Sequence, residues 1–291
     1  MLKSIFVPMN GSPQDGLALE TALSAARLFE SHLECARVRM TSDYLVWEGG
    51  LMDVVGGVFE GDLISHLDKQ DRERTTKALH AFKEFCEREK IAVADGPTGR
   101  VGVTARWQEL RGHQVGEFVK EARFHDLVVI ARNLLTETDP AVDFIGHMLL
   151  GGGRPILLAP ETPPKSIGKT VVVAWKNTPE AARAVTAAMP ILTQAEAVVV
   201  VSALEDELPE EKGATAHKLA ETLRWNGCNA SSQPVEPDGR IAAAVLNRAE
   251  ALGADLLVMG GYGHSRLRET VLGGVTRDIL EAGSLPIFLF H

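Results

Sequence analysis

The sequence has little cysteine: three residues in 291, namely Cys35, Cys86 and Cys228, with no C-x-x-C spacing among them. Disulfide frameworks and zinc knuckles need closely or regularly spaced cysteines, so neither is indicated. We therefore expect three buried thiols that behave as small apolar side chains in a reducing compartment.

Positive charge and long apolar runs are also scarce. Lys and Arg total 30 against 39 Asp and Glu, a formal net charge of −9, and no basic run is interleaved with aromatic residues. This argues against nucleic acid as a partner. No uninterrupted apolar segment approaches the ~20 residues of a membrane helix, and Pro8 breaks the N-terminal run, unlike a signal peptide. The sequence predicts a cytoplasmic protein without a membrane partner.

The residues that are present fall into two similar halves. The segment "KSIFVPMNGSPQDGLALETAL" from Lys3 matches "KTVVVAWKNTPEAARAVTAAM" from Lys169 in its apolar run and its proline. Further along, "HDLVVIA" parallels "ADLLVMG", and "GGRPILLAP" parallels "GSLPIFLFH". Three matched segments in one order predict a tandem duplication. The domains would be residues 1–160 and 168–291, joined by the proline-rich segment "APETPPKSIGK".

Each half alternates apolar runs with amphipathic segments. The first run leads into a turn at Ser12 or Thr178, predicted helix N-caps followed by Pro13 or Pro179 as the first helical residue. Strands that are apolar throughout indicate a parallel sheet covered on both faces. We predict an α/β fold of two tandem doubly wound domains, each a five-stranded parallel sheet with helices on both faces.

The first half carries an insertion near 41–61, which is rich in glycine and includes Tyr44, Trp47 and Phe59. It is either a lid or interaction surface, or a partly packed surface loop.

The second half carries a glycine-rich segment, "GGYGHSRLRETVLGGVTR", directly after its fourth predicted strand. Ligands of open parallel sheets bind beyond the carboxyl ends of the strands. Glycine there lets backbone approach a ligand, and a helix beginning after the second glycine pair would direct N–H groups at a phosphate. The spacing of Gly260, Gly263 and Gly273 is neither a Walker P-loop nor a dinucleotide fingerprint.

The segment "GGYGHSRLRETVLGGVTRDIL", followed by "SLPIFLF", resembles the C-terminal signature of the universal stress protein family. The opening strands of both halves resemble that family's first segment. The resemblance implies a flavodoxin-like relative of the Rossmann fold, with an adenine nucleotide between the first and fourth strands of the second half. The residues expected at this site are Ala174, Trp175, Lys176, Met259, Gly260, Gly263, His264, Arg266, Gly273, Gly274, Val275 and Thr276.

Two positions depart from the family's pattern. Gly274 stands where the family has a hydroxyl or amide side chain, which removes one phosphate hydrogen bond worth about 0.5–1.5 kcal/mol. Lys176 stands where the family commonly has an acidic residue, so it either meets a phosphate or is a solvated surface lysine. Trp175 either stacks on a ring or packs in the core. Weakened phosphate binding is expected rather than none.

Other residues of the segment keep two interpretations. His264 either contacts the ligand or has a surface role, and Arg266 either meets a phosphate or pairs with a neighbouring acid. The first half has no glycines at the positions corresponding to Gly260 and Gly263, and Asn133 and its neighbours would fill the phosphate space. We therefore interpret the first half as a degenerate, structural copy.

No set of residues forms a catalytic or metal-binding constellation, so none is assigned. We expect ATP or another adenine nucleotide as ligand, either alone or with Mg²⁺, in a stress-response sensor or regulator. A slow ATPase at the same site and a ligand-free interaction module are the alternatives. The two halves are expected to pair as an intramolecular pseudo-dimer, with a homodimer of whole chains as the other arrangement.

Overall fold

A computed structural model of the chain describes residues 1–39, 60–96, 102–131, 144–203, 213–236, 240–261, 274–282 and 284–291. Most of the insertion near 41–61 lies outside these ranges. Within them, the first half contains β1 (Ser4–Pro8), α1 (Asp15–Phe29), β2 (His32–Arg39), α2 (Glu60–Glu89), β3 (Ala92–Val93), β4 (Thr104–Arg111), α3 (Gln114–Ala122), β5 (Leu127–Ala131), α4 (Phe144–Gly152) and β6 (Ile156–Ala159).

The second half repeats this order of elements with one strand fewer. It contains β7 (Thr170–Ala174), α5 (Pro179–Leu192), β8 (Ala197–Ala203), α6 (Ala214–Trp225), β9 (Ala230–Val235), α7 (Ile241–Ala251), β10 (Leu256–Gly260), α8 (Gly274–Glu281) and β11 (Ile287–Phe290). The additional strand of the first half is β3, which has two residues.

All eleven strands belong to one sheet, in the order β3-β4-β2-β1-β5-β6-β11-β10-β7-β8-β9. Neighbouring strands are parallel except β6 and β11, which pair antiparallel with Leu157 opposite Phe288. This pair joins the two halves. The outer strands are β3 at one edge and β9, which contains Pro234, at the other. The predicted α/β fold with parallel sheets is confirmed.

The core is divided into two apolar layers by the sheet, because successive side chains of a strand point to opposite faces. In β8, Val198 and Val200 belong to the layer beneath α1, α2, α5 and α6. Val199 and Val201 belong to the layer beneath α3, α4, α7 and α8. We call these the first and second layers.

The same aspartate contact occurs at the amino edge of both halves. The Asp126 carboxylate accepts hydrogen bonds from the backbone N–H groups of Lys3 and Ser4 at 2.7 and 3.0 Å. The Asp255 carboxylate does the same for the chain that enters β7, accepting from the N–H of Thr170 at 3.1 Å. The shared contact supports the duplication, which stays a prediction.

The two predicted N-caps have different outcomes. Thr178 caps α5, its hydroxyl accepting from the Ala181 N–H at 3.3 Å, with proline at the first helical position as predicted. The prediction for Ser12 is wrong, because α1 begins at Asp15. The buried Asp15 carboxylate accepts from the N–H groups of Asn10 and Gly11, which holds the preceding residues in a turn.

The three cysteines are buried, as predicted. Burial raises the pKa of the Cys86 thiol to about 11, so this side chain stays a neutral apolar group at physiological pH. Among the described helices, none combines the length and the apolar content that crossing a membrane requires.

The first half buries a polar cluster in the second layer, near the amino ends of its strands. The Arg106 Nε–H donates to both carboxylate oxygens of Glu34 at 2.9 Å. The His32 Nδ1 lies 2.8 Å from the Thr104 hydroxyl. Burial raises the pKa of the Glu34 carboxyl, but the His32 and Arg106 side chains outweigh it and leave that pKa below its ordinary value.

A second histidine belongs to the same region. The His125 ring stacks on Phe6 with centroids 5.1 Å apart, and its Nδ1 lies 2.6 Å from the Ser4 hydroxyl. Its Nε2 lies 3.4 Å from the Glu121 carboxylate. Burial lowers the pKa of His125 below its ordinary value, although Glu121, Glu34 and Asp126 oppose the shift.

We predict that His125 makes the protein less stable in mild acid. Because its folded pKa is lowered, the unfolded chain binds the proton more readily, so this contribution is complete above about pH 6.5 and declines as the pH falls. Replacing His125 by Gln should flatten the dependence of the unfolding free energy on pH as the pH falls below about 6.5, by at most about 1.4 kcal/mol per pH unit. Urea unfolding at several pH values measures it.

The matched control is His217→Gln, because His217 is an exposed histidine that also faces a glutamate four residues on. An unchanged slope in His125→Gln, or an equal flattening in His217→Gln, would show that His125 is not the responsible group.

Candidate functional site

The predicted site lies at the carboxyl ends of β7 and β10 and the N-terminus of α8. The two strands are neighbours, with Met259 paired to Ala174. Trp175 and Lys176 follow directly after β7, and α8 begins at Gly274. Four predicted site residues lie outside the described residues: Gly263, His264, Arg266 and Gly273. The arrangement of the remaining eight is described below.

Trp175 continues β7 alongside β8, since its backbone N–H donates to the Val201 carbonyl at 2.8 Å. Its partly buried ring packs against the first layer. The indole Nε1 is buried, and none of the described residues provides it with a hydrogen-bond partner. A buried unpaired N–H costs about 1–3 kcal/mol, which indicates a position where a ligand acceptor would be favourable.

Ser202 is a second buried polar side chain at this position. It follows Val201 in β8, so its side chain is in the first layer, the same layer as Trp175. Its hydroxyl is buried and has no hydrogen-bond partner within the described ranges. Sequence reasoning missed Ser202, although a serine that ends the run "VVVV" was a visible signal.

Gly260 makes a close backbone contact with α5. A Cβ at this position would lie 2.6 Å from the Ala181 nitrogen and 2.8 Å from the Glu180 carbonyl carbon. The sequence suggested that this glycine makes room for a ligand. In the structure, the absence of a side chain at Gly260 allows β10 to approach the first turn of α5.

The first turn of α8 contains one exposed and one buried residue. Val275 is partly exposed, and Thr276 is buried beside the second layer. Lys176 is exposed at the carboxyl edge of the sheet. Within the described ranges, no group of three or more His, Cys, Asp or Glu side chains lies close enough to hold a metal ion.

The corresponding region of the first half is filled by an ion pair. Pairing of β1 with β2 and of β7 with β8 places Arg37 where the second half has Ser202. The Arg37 side chain is 1% exposed, and its Nη2 lies 2.7 Å from the Asp71 carboxylate of α2. Burial lowers the pKa of Arg37, and the Asp71 carboxylate opposes this shift.

The turn after β1 is closed as well. Met9 stands where the second half has Trp175, and it is fully buried. Gly11 has φ of +80° and lies directly against the Arg74 backbone of α2, where a side chain would clash. The Arg37–Asp71 pair and Met9 therefore occupy the first-half region that corresponds to Ser202 and Trp175.

Comparison with known proteins identifies the second half. The model of the universal stress protein family matches residues 168–291. This half of the chain belongs to the universal stress protein family. The universal stress protein Slr1230 of Synechocystis is 38% identical over 53 residues, a match that spans only 18% of each chain.

Solved structures of universal stress proteins share the fold along the whole chain. A universal stress protein from Archaeoglobus fulgidus has a TM-score of 0.65 at 14% identity, covering 99% of this chain and 95% of that one. A putative universal stress protein from Pseudomonas aeruginosa has a TM-score of 0.56 at 16% identity, covering 99% and 93%. At this identity the likeness concerns the fold, and it includes both halves.

The buried ion pair of the first half yields a stability prediction. Replacing Asp71 by Ala leaves the buried Arg37 guanidinium without its counter-charge, which should lower the unfolding free energy by about 3–5 kcal/mol. The double variant Arg37→Met/Asp71→Leu removes both charges and should recover most of this loss. Urea denaturation followed by circular dichroism measures both.

The control is Asp68→Ala, which removes a more exposed carboxylate of α2 that pairs with Arg72. Losses of equal size in Asp71→Ala and Asp68→Ala would contradict the role of burial.

Two adjacent glycines give a second stability prediction. Gly260→Ala forces a Cβ against the backbone of α5 and should cost about 1–3 kcal/mol. Gly261→Ala is the matched control, because a Cβ there meets its nearest neighbour at 3.4 Å, an ordinary contact, and neither glycine has a positive φ. Thermal unfolding of the two variants compares them, and equal melting temperatures would refute the close-approach argument.

Proposed function

We propose that the second half binds an adenine nucleotide, with ATP as the best candidate, and that the protein acts as a sensor or regulator in a stress response. The observation that carries the proposal is the adjacent pair of unpaired buried groups, Trp175 Nε1 and Ser202 Oγ, at the carboxyl edge of the sheet. An adenine ring offers both an aromatic face and hydrogen-bonding nitrogens, which fits an indole and a hydroxyl.

The phosphates of the nucleotide are assigned to the ends of β7 and β10 and the N-terminus of α8. Ala174, Met259 and Gly260 end the two central strands, and α8 begins at Gly274 with Val275 and Thr276 in its first turn. A helix N-terminus favours anions because its first N–H groups are unpaired and its dipole is positive there. Gly263, His264, Arg266 and Gly273 complete the proposed site on the evidence of their spacing, with Mg²⁺ as a possible companion of the phosphates.

The first half is proposed to bind no nucleotide, so that each chain has one site. The Arg37–Asp71 pair and the buried Met9 support this assignment, because they fill the region that corresponds to Ser202 and Trp175. The domain limits 1–160 and 168–291 and the pairing of the halves as a pseudo-dimer are part of the same proposal. The antiparallel contact of β6 and β11 supports that pairing.

The close approach of Gly260 to α5 favours one other function, an interaction module without a ligand, in which the glycines serve packing alone. The two functions differ in whether nucleotide binds at all, and the same experiment separates them.

We predict that calorimetric titration with ATP and Mg²⁺ shows one site per chain. Trp175→Phe keeps the ring but removes the N–H, and Ser202→Ala removes the hydroxyl; each should weaken binding by about 2- to 10-fold, the value of one hydrogen bond. Gly273→Asp should abolish binding, since it places a carboxylate where a phosphate is expected.

Trp107→Phe is the matched control. Trp107 also has a buried indole N–H without a partner, but it lies in the first half, beside Phe82. Its replacement should leave the affinity unchanged. If the wild type takes up no ATP and releases no nucleotide on denaturation, nucleotide binding is refuted and the interaction module becomes the better explanation.

A further inference from the structure

The first half brings a hydroxyl, an imidazole and a carboxylate together at the amino edge of its sheet. The Ser4 Oγ lies 2.6 Å from the His125 Nδ1, and the His125 Nε2 lies 3.4 Å from the Glu121 carboxylate. These residues meet because β1 pairs with β5 and because Phe118 of α3 packs on Phe6. Sequence reasoning could not group them, since 121 positions separate the serine from the histidine.

The contacts of the imidazole determine which of its nitrogens carries the proton. An ionised carboxylate only accepts hydrogen bonds, so the Nε2–H of a neutral His125 donates to Glu121. The Nδ1 then has the lone pair and accepts from the Ser4 hydroxyl. Phe6 stacks on the ring with an interplanar angle of 11°, which holds this orientation. A hydroxyl, a ring nitrogen that accepts its proton and a carboxylate that orients the ring are the parts of a hydrolytic triad.

The histidine is neutral at physiological pH, as a general base must be. Burial lowers the pKa of His125 below its ordinary value, although neighbouring carboxylates oppose the shift. Ser4 is partly exposed, and Phe124, which precedes the histidine, is 79% exposed. This edge of the sheet is therefore open to solvent and offers an aromatic surface to a small apolar ester.

The second half has the corresponding positions without the histidine. Thr170 corresponds to Ser4, because β1 pairs with β5 in the same register as β7 with β10. The segments "HDLVVIA" and "ADLLVMG" place Ala254 where the first half has His125, and Glu250 keeps the four-residue spacing of the carboxylate. A hydroxyl and a carboxylate therefore occur at these positions in both halves, whereas the base between them occurs only in the first.

We propose that Ser4 is a nucleophile that takes an acyl group from small activated esters, with His125 as its general base and Glu121 as the residue that positions the base. The Ser4 Oγ bonds to the carbonyl carbon of the ester while its proton passes to the His125 Nδ1. The bond from that carbon to the leaving oxygen then breaks, and the leaving oxygen takes the proton from His125. Water releases the acyl group by the same transfers. This activity is separate from nucleotide binding and does not depend on it.

The test uses the purified full-length chain with p-nitrophenyl acetate and with a fluorophosphonate probe, which forms a P–O bond to an activated serine and releases fluoride. We expect hydrolysis of the ester, and mass spectrometry should find the probe on Ser4. Ser4→Ala should abolish both reactions, and His125→Gln should slow both by about 10²- to 10⁴-fold, the usual contribution of a general base. Thr170→Ala is the matched control, because Thr170 has the equivalent position without a histidine, and it should leave both rates unchanged.

Glu121→Gln tests the positioning role. Glu121 raises the pKa of His125, so its replacement should move the acid limb of the pH–rate profile to lower pH, while Glu34 and Asp126, the other carboxylates that act on His125, are unchanged. Glu117→Gln, which alters an exposed ion pair of the same helix, should leave the profile in place.

Absence of the probe from Ser4 in the folded wild type would overturn the inference. Equal rates in the wild type and a folded His125→Gln variant would do the same, as would an unchanged pH profile in Glu121→Gln. The Glu121 variant carries the test if His125→Gln does not fold.

Discussion

The antiparallel pairing of β6 with β11 is the contact on which the arrangement of the molecule depends. It joins two parallel sheets into one, brings α4 to the boundary between the halves, and completes the second apolar layer across both halves. Because the chain links the two halves, their association is intramolecular and independent of protein concentration. The two halves therefore always meet in a one-to-one ratio.

The two halves carry different side chains at equivalent positions of the sheet. The first half fills the carboxyl ends of β1 and β2 with Met9 and the buried Arg37–Asp71 pair. The second half has Trp175 and Ser202 there, each with a buried polar atom that no described residue satisfies. The ion pair fills its region with two long side chains, whereas an indole and a hydroxyl leave polar atoms that a ligand could satisfy. The contrast follows from a few side chains on one shared backbone plan.

Local pattern was sufficient for most of the fold. The Thr178 cap is confirmed, because a hydroxyl followed by proline acts within one turn. The Ser12 prediction is wrong because the buried Asp15 carboxylate accepts hydrogen bonds from the backbone of Asn10 and Gly11 and holds the residues before α1 in a turn. A competing local contact therefore decides where this helix begins.

The candidate site was predictable only in part, because its residues come together through contacts between elements that are distant in sequence. The role of Ser202 becomes visible once β7 and β8 are paired, and that of Arg37 once α2 brings Asp71 to it. Gly260 was selected by its spacing, but spacing does not show that the first turn of α5 lies 2.6 Å from its missing Cβ.

The outer strands of the sheet determine whether it can grow. Any open sheet offers unpaired N–H and C=O groups at two edges, where further strands can add. Here the two-residue β3 covers only the beginning of β4 at one edge, and β9 at the other edge contains Pro234, which has no N–H to donate. Pro234 therefore interrupts the hydrogen-bonding edge of β9 and makes that edge a poor template for strand addition.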